Sequence, residues 1–250
     1  RGLGDVYKRQ KEYSSEHSPN AIYFDIDKNS DLNSNLPHML PNKDMWEKIM
    51  SSNGISNNDK IVIYDNSKVL SSCRLWYMLL YFGHSKKLVS VLNGGLEKWK
   101  KNNFPITEDH TKLKMTNYKA YENKFMVKNL DEIDKNIENK VFSLVDARSK
   151  DRFEGKTKEP REGVRSGSIK NSICIPFNNV IKDDKTFKDK EELKVIFNNI
   201  ISDIDNNNVV FSCGSGITSC VLALAYSLIN NNYNPTIYDG SWAEYGKIFK

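Results

Sequence analysis

No apolar run in the sequence approaches the roughly 20 residues that cross a bilayer, which excludes a membrane-spanning helix. Cysteine is scarce. Cys73, Cys174, Cys213 and Cys220 are neither paired at metal-ligand spacing nor dense enough for a secreted disulfide scaffold. A reducing compartment, cytoplasmic or mitochondrial, is expected, and it leaves room for a free reactive thiol. The four histidines, His17, His38, His84 and His110, are spread without ligand spacing, so no metal centre is expected. Charge of one sign does not dominate either. A formal charge of +5 arises from 37 Lys and Arg against 32 Asp and Glu. The lysines alternate with acids, as in Lys182-Asp183-Asp184-Lys185, which reads as solvated surface and not as a nucleic-acid stripe. Aromatics are plentiful, Gly and Pro ordinary, and 250 residues suit one large or two modest domains.

The first ten residues, RGLGDVYKRQ, look foreign, because DVYKRQ is how a transposon-derived sequencing adapter reads when translated. Residues 1–10 are therefore set apart as an artefact. On this reading the native amino terminus is missing, together with any leader and the opening strand of the first domain. An incomplete first sheet with an exposed edge is the expectation.

From Ala21 onward, short apolar runs alternate with helical stretches. Strand AIYFDI (21–26) is followed by a helix through DMWEKIM (44–50), strand KIVIYD (60–65), helix RLWYMLLYFG (74–83), strand LVSVL (88–92) and helix LEKWKKNN (96–103). After a polar passage the order restarts with helix NLDEIDKNI (129–137), strands VFSLVDA (141–147) and SICIPF (172–177), helix EELKVIFNNI (191–200), strand NVVFS (208–212), helix VLALAYSLI (221–229) and strand TIYD (236–239). This grammar predicts an α/β fold with mostly parallel sheets flanked by helices.

The two passages align with each other. KIVIYD, its helix and VLNGGLEKW lie over NVVFSC, its helix and IYDGSWAEY, so that Gly94 falls on Gly240 and Trp99 on Tyr245. HSPNAIYFDI lies over SIKNSICIPF, placing His17 on Ser168 and Ala21 on Ser172. A tandem duplication is the economical reading, with a first domain over 11–110, a linker over 111–125 and a second domain over 126–250. Asp65 and Cys213 then stand at equivalent places. Only the second copy carries a nucleophile there.

The stretch Cys213-Gly214-Ser215-Gly216-Ile217-Thr218-Ser219-Cys220 joins an apolar strand to an apolar helix. Strand carboxyl ends in α/β folds are where ligands bind, and a helix N-terminus offers unpaired N–H groups at its positive end. Two glycines let the backbone curl so that successive amides aim at one sulfur. Such surroundings lower a thiol from about 8.5 to roughly 3.5–7.5. A cysteine phosphatase also sets a cysteine in such a loop, but it needs Arg six residues later, and here that position is Ser219. The bland alternative is a buried strand-end cysteine beside a glycine turn. Cys220, on the first helical turn, is read as a packing residue.

The loop C-G-S-G-I-T-S-C, the ending Tyr238-Asp239-Gly240-Ser241-Trp242 and the duplicated architecture resemble the tandem-rhodanese sulfurtransferases of the 3-mercaptopyruvate type. Thiosulfate-preferring relatives typically carry Arg and Lys after the cysteine, where this chain has Gly214 and Ser215. The resemblance implies that Cys213 carries sulfur as a persulfide, cradled by the amides of Gly214, Ser215, Gly216, Ile217 and Thr218. It implies that Arg152 and Arg161 hold the carboxylate of the donor, and that Asp27, His38 and Ser215 form a proton relay across the domain interface. Unaided, the two arginines read equally well as surface charge, and His38 as a packing residue. Arg74 is read as an interdomain or structural contact. The turn Gly167-Ser168-Ile169-Lys170-Asn171 departs from the Gly-His-Ile-Pro-Gly pattern of the family.

What the resemblance implies is a ping-pong reaction: sulfur passes from 3-mercaptopyruvate to Cys213, pyruvate leaves, and a thiol, a thioredoxin-like dithiol among them, or cyanide takes the sulfur. No cofactor, membrane or nucleic acid is involved. Two alternatives stay open at this point: a thiosulfate:cyanide sulfurtransferase on the same scaffold, and a non-catalytic persulfide carrier or binding module.

Overall fold

The computed structural model describes residues 10–201 and 208–247. Of the ten leading residues set apart above, 1–9 lie outside the described part.

After a helical stretch over residues 10–15, the first half continues with helix α1 (Lys43–Ser52), started by the Asn42 side chain, which accepts from the Met45 amide. Strand β1 (Ile61–Ile63), helix α2 (Ser72–Tyr81), strand β2 (Val89–Val91) and helix α3 (Gly95–Lys101) follow. β1 and β2 pair in parallel, with Ile61 opposite Val89 and Ile63 opposite Val91. These four elements match the sequence expectation within a few residues.

The expected strand over 21–26 does not form. That segment is held by single contacts instead: the hydroxyls of Tyr13 and Thr111 both donate to the Ala21 carbonyl, and Phe24 packs edge-on against Trp46. Its apolar residues fit a pleated surface, but a strand exists only when a neighbouring edge takes up its backbone groups. Here the segment stands off from β1 across a cavity of about 960 Å³, and Val62 of β1 remains 61% exposed. Among the described residues the sheet of the first half thus has two strands with an open edge.

The second half contains β3 (Val127–Lys128), α4 (Leu130–Asn139), β4 (Ser143–Asp146), α5 (Lys150–Phe153), β5 (Ile173–Cys174), α6 (Lys190–Asn198), β6 (Val209–Ser212), α7 (Ser219–Ile229), β7 (Ile237–Tyr238) and α8 (Ser241–Tyr245). Its five strands lie in the order β3-β7-β6-β4-β5, all parallel, with Ser143–Asp146 against Val209–Ser212 at the centre. Strand β3 and the short helices α5 and α8 have no counterpart in the sequence reading. The expected strand 172–177 shortens to Ile173–Cys174: the Ile175 and Phe177 amides still donate to the Asp146 and Ala147 carbonyls, but from Pro176 the chain turns into a 3-10 helix over Phe177–Val180.

Helices α4 and α6 begin with reciprocal capping boxes, Asn129 with Glu132 and Asp189 with Glu192. Helix α7 has few polar residues on any face and is buried nearly all round, as such a pattern requires. It packs between α2 and α6. Leu222 at its middle has no exposure, so truncation to alanine costs about 2–5 kcal/mol. One continuous core runs from Trp46 and Phe82 in the first half through Phe211 and Tyr226 in the second. The halves are therefore fused through their cores, which fixes the loops between them.

Candidate active site

β6 is the central strand of the larger sheet, and Cys213 is the first residue beyond it. Beside it, β4 runs out to Ala147 and Arg148, and β7 runs out to Asp239. The carboxyl ends of three adjacent parallel strands thus bound one crevice.

The loop after Cys213 turns its carbonyls outward. The Cys213 carbonyl accepts from the Trp242 amide at 3.0 Å, and the Gly214 carbonyl accepts from the Ala243 amide at 2.9 Å. The Gly216 carbonyl accepts from Nη1 of Arg74 at 3.1 Å and from the Cys220 thiol at 3.2 Å. Gly216 reaches this geometry at φ +75°, and a Cβ on it would lie 3.0 Å from both the Arg74 guanidinium and the Asp239 carboxylate. With the carbonyls occupied elsewhere, N–H groups are left to face the sulfur.

The Cys213 side chain is buried. Burial alone would push its thiol up, but hydrogen bonds from the Thr218 hydroxyl, the Ser215 and Ser219 amides and the Ser219 hydroxyl outweigh it and hold the thiol below its ordinary value. Ser219 Oγ lies 3.6 Å from the sulfur. Cys213 also sits at the N-terminus of α7, whose positive end favours an anion. Ser219 was absent from the sequence-derived cradle, where it had served only to mark a missing arginine. The other thiols differ. Burial pushes Cys220 up to about 12 and Cys174 up to about 11, and Cys73 well above its usual range.

Two guanidinium groups stand over Gly214. A Cβ there would meet Arg152 Nη2 at 3.2 Å and Arg161 Nη1 at 3.6 Å, so a side chain at 214 would crowd both. The arginines are held differently. Arg152 donates through Nε and Nη2 to the two carboxylate oxygens of Glu159, at 3.1 and 2.5 Å. Glu159 is buried and also accepts from Arg148 Nη1. Arg161 donates only to Ser215 Oγ, at 3.0 Å, and forms no ion pair among the described residues. Burial and the neighbouring Arg152 pull its basicity down, partly offset by the sulfur and Glu159. A guanidinium nevertheless stays charged under any folding condition. A cavity of about 360 Å³ opens beside Arg161, lined also by Leu36, Pro37 and Lys247.

The first half contributes His38. Its Nδ1 lies 2.9 Å from Ser215 Oγ, and its Nε2 lies 2.9 Å from Asp27 Oδ1. An ionised Asp27 can only accept, so His38 Nε2 carries a proton toward it, and in the neutral ring Nδ1 is then the acceptor for the Ser215 hydroxyl. His38 holds this place at φ 62°, in the left-handed region. The structure thus brings together Cys213, Ser215, Arg161, His38 and Asp27, with Arg152 beside them. Ile217 and Thr218 complete the turn into α7, and Thr218 turns its hydroxyl to the sulfur.

At the equivalent place in the first half, Asp65 fills its own loop. Its Oδ2 accepts from the Ser67 and Ser71 hydroxyls and from the Ser72 amide, at 2.8, 2.9 and 2.9 Å.

The Rhodanese-like domain family model matches the chain twice, over residues 5–102 and 129–247. The chain is 36% identical to thiosulfate/3-mercaptopyruvate sulfurtransferase 1, mitochondrial, of Arabidopsis thaliana, over 94% of this chain and 66% of that protein. It is 36% identical to thiosulfate sulfurtransferase of Bos taurus, over 94% of this chain and 79% of that one. The fold superposes on the crystal structure of SseA from Escherichia coli, described as a 3-mercaptopyruvate sulfotransferase, with a TM-score of 0.81 and 31% identity, covering 93% of this chain and 86% of that one.

Proposed function

Since the chain belongs to the rhodanese family, with two copies of its domain, we propose that it is a sulfurtransferase that carries sulfane sulfur on Cys213, with 3-mercaptopyruvate as the favoured donor. The observation that carries this reading is the buried Cys213 sulfur at the end of the central strand, 3.6 Å from Ser219 Oγ, with two guanidinium groups over the adjoining Gly214. The working division gives 126–250 the sulfur-carrying role and 11–110 a supporting one.

In the first step the Cys213 thiolate attacks the sulfur of 3-mercaptopyruvate. A sulfur–sulfur bond forms, the carbon–sulfur bond breaks, and its electron pair leaves with pyruvate as the enolate. Protonation of that carbon yields pyruvate and an enzyme persulfide. In the second step an acceptor thiolate takes the outer sulfur and returns the Cys213 thiolate. The cradle amides and hydroxyls stabilise negative sulfur in both steps, as preorganised dipoles do best in a dry crevice. Arg161, in no ion pair among the described residues, receives the donor carboxylate, and Arg152, half-neutralised by Glu159, fixes its second edge. Ser215 Oγ holds the proton exchanged with the departing enolate, with His38 and Asp27 behind it.

The uncharged Gly214-Ser215 pair supports a singly charged donor. A second reading, thiosulfate as donor, is favoured by the arginine pair, which has charge enough for a dianion, and by relatives named for both donors. A thioredoxin-like dithiol as acceptor and a mitochondrial or cytoplasmic setting fit the free cysteines. The test is pyruvate release from 3-mercaptopyruvate beside thiosulfate:cyanide turnover, for the native chain and Cys213→Ser. Cys213-dependent pyruvate release that exceeds thiosulfate turnover supports the first reading; the reverse order supports the second; sulfur loading without turnover leaves a persulfide carrier.

A further inference from the structure

Arg74 lies on α2, in the half that lacks Cys213, and none of its side chain reaches solvent. Its two terminal nitrogens serve different halves. Nη2 donates to the His38 carbonyl at 2.6 Å, and Nη1 donates to the Gly216 carbonyl at 3.1 Å. Nη1 also lies 2.8 Å from Asp239 Oδ1 at the end of β7, while Asp239 Oδ2 accepts from the Leu40 amide at 2.9 Å. The Nε of Arg74 is buried without a hydrogen-bond partner, so its placement answers to the fork and not to its own saturation.

Both carbonyls it holds belong to backbone that needs holding. His38 is a non-glycine residue at φ 62°, and Gly216 is at φ +75°. In a planar trans peptide the C=O and the following N–H point opposite ways. Anchoring the Gly216 oxygen in the interface therefore turns the Ile217 amide to the other side of the loop. A planar guanidinium also fixes the spacing between its two nitrogens, and with it the spacing between His38 and the loop.

We propose that Arg74 is a positioning residue for the Cys213 site: one guanidinium sets the distance between the His38 relay and the sulfur cradle, and so governs thiolate reactivity without touching the donor. The proposal rests on the sulfurtransferase reading only for its effect on turnover. Its effect on the thiol is independent of what the chain transfers.

The experiment compares Arg74→Lys with Tyr77→Phe. Tyr77 is buried one turn along the same helix, and its hydroxyl donates across to the Met126 carbonyl at 2.6 Å without reaching the cradle. Both variants are measured for thermal midpoint and for the pH profile of Cys213 alkylation by iodoacetamide. Arg74→Lys keeps a cation beside Asp239 but loses the fork; the alkylation midpoint is expected to rise by about one pH unit, with alkylation near neutrality about tenfold slower. Where 3-mercaptopyruvate turnover is present, kcat falls while KM changes little. Tyr77→Phe is expected to lower the thermal midpoint with the alkylation profile unmoved. If Arg74→Lys behaves as Tyr77→Phe does, with an unchanged profile, Arg74 is only an interdomain brace and the proposal is wrong. If Arg74→Lys does not fold, Asp239→Asn, which loosens the guanidinium while leaving it in place, takes its part with the same two outcomes. Absence of turnover with a shifted alkylation profile would sink the sulfurtransferase reading and leave this one standing.

Discussion

His38 and Ser215 are 177 positions apart in the chain, yet Nδ1 of one lies 2.9 Å from Oγ of the other. The contact crosses from the first half to the second, and Asp27 continues it at 2.9 Å on the far side of the ring.

That geometry predicts separate fates for proton handling and thiol activation. Ser215→Ala removes the hydroxyl but leaves the amide that faces the sulfur. We expect kcat to fall by roughly 10²–10⁴, the usual worth of a positioned acid or base. The pH profile of Cys213 alkylation should stay in place. Stopped-flow pyruvate release beside alkylation kinetics checks both, and a parallel loss of the two would merge the roles.

The two arginines are expected to part company. Arg161→Met removes a guanidinium that forms no ion pair among the described residues, so KM for an anionic donor should rise about 10- to 150-fold, the value of a charge-assisted bond of roughly 1.5–3 kcal/mol. Thermal stability should barely change. Glu159→Gln removes the charge facing Arg148 and Arg152 in a buried network, and breaking such a pair costs about 3–5 kcal/mol. Denaturant titration of both variants tests the contrast.

The thiols should be chemically distinct. Hydrogen bonds from the cradle hold Cys213 below its ordinary value, whereas burial raises Cys73, Cys174 and Cys220. One equivalent of iodoacetamide at neutral pH should therefore label Cys213 first, as peptide mass mapping would reveal. A depressed folded-state value also stabilises the fold. That contribution is fully present above the unfolded thiol value, about 8.5, and is lost as pH falls through the folded value. The stability difference between the native chain and Cys213→Ser should accordingly grow as pH rises toward 8.5.

Gly216→Ala should damage both fold and site. Alanine at φ +75° is strained by about 1–2 kcal/mol, and its Cβ would press on Arg74 and Asp239. A lowered melting midpoint together with slower Cys213 alkylation is the expected pair of results. Gly214→Ala has ordinary φ and should leave the midpoint nearly unchanged while weakening donor binding, since its Cβ meets only the guanidinium groups.

The sequence made the larger sheet and the Cys213 loop legible because both are local patterns. An apolar strand, a glycine-rich turn and an apolar helix follow one another within 21 residues, Val209 to Ile229. Asp27 and His38 could be named only through a resemblance, since nothing in LPHML points to a loop in the other half. Pairs such as Arg74 with Asp239, or Arg152 with Glu159, leave no periodic trace, and Glu159 carried no role in the reading although it was in view. Ser219 was visible too, but a hydroxyl aimed at sulfur looks like any helix-start serine. The strand read at 21–26 failed for the opposite reason: its residues suit a strand, and whether an edge waits beside it is a tertiary fact.

Asp65 gives the duplication a chemical asymmetry. Its loop holds an anion that is covalently part of the chain, bonded by Ser67, Ser71 and Ser72, and no oxidisable atom occupies that position. In the proposed cycle the loop after β6 must release what it holds at each turnover, which a polarised sulfur permits. Peroxide meeting these two equivalent loops should find a lesion to make in one of them, a sulfenic and then sulfinic acid at Cys213, because the Asp65 loop presents a carboxylate with no sulfur to oxidise.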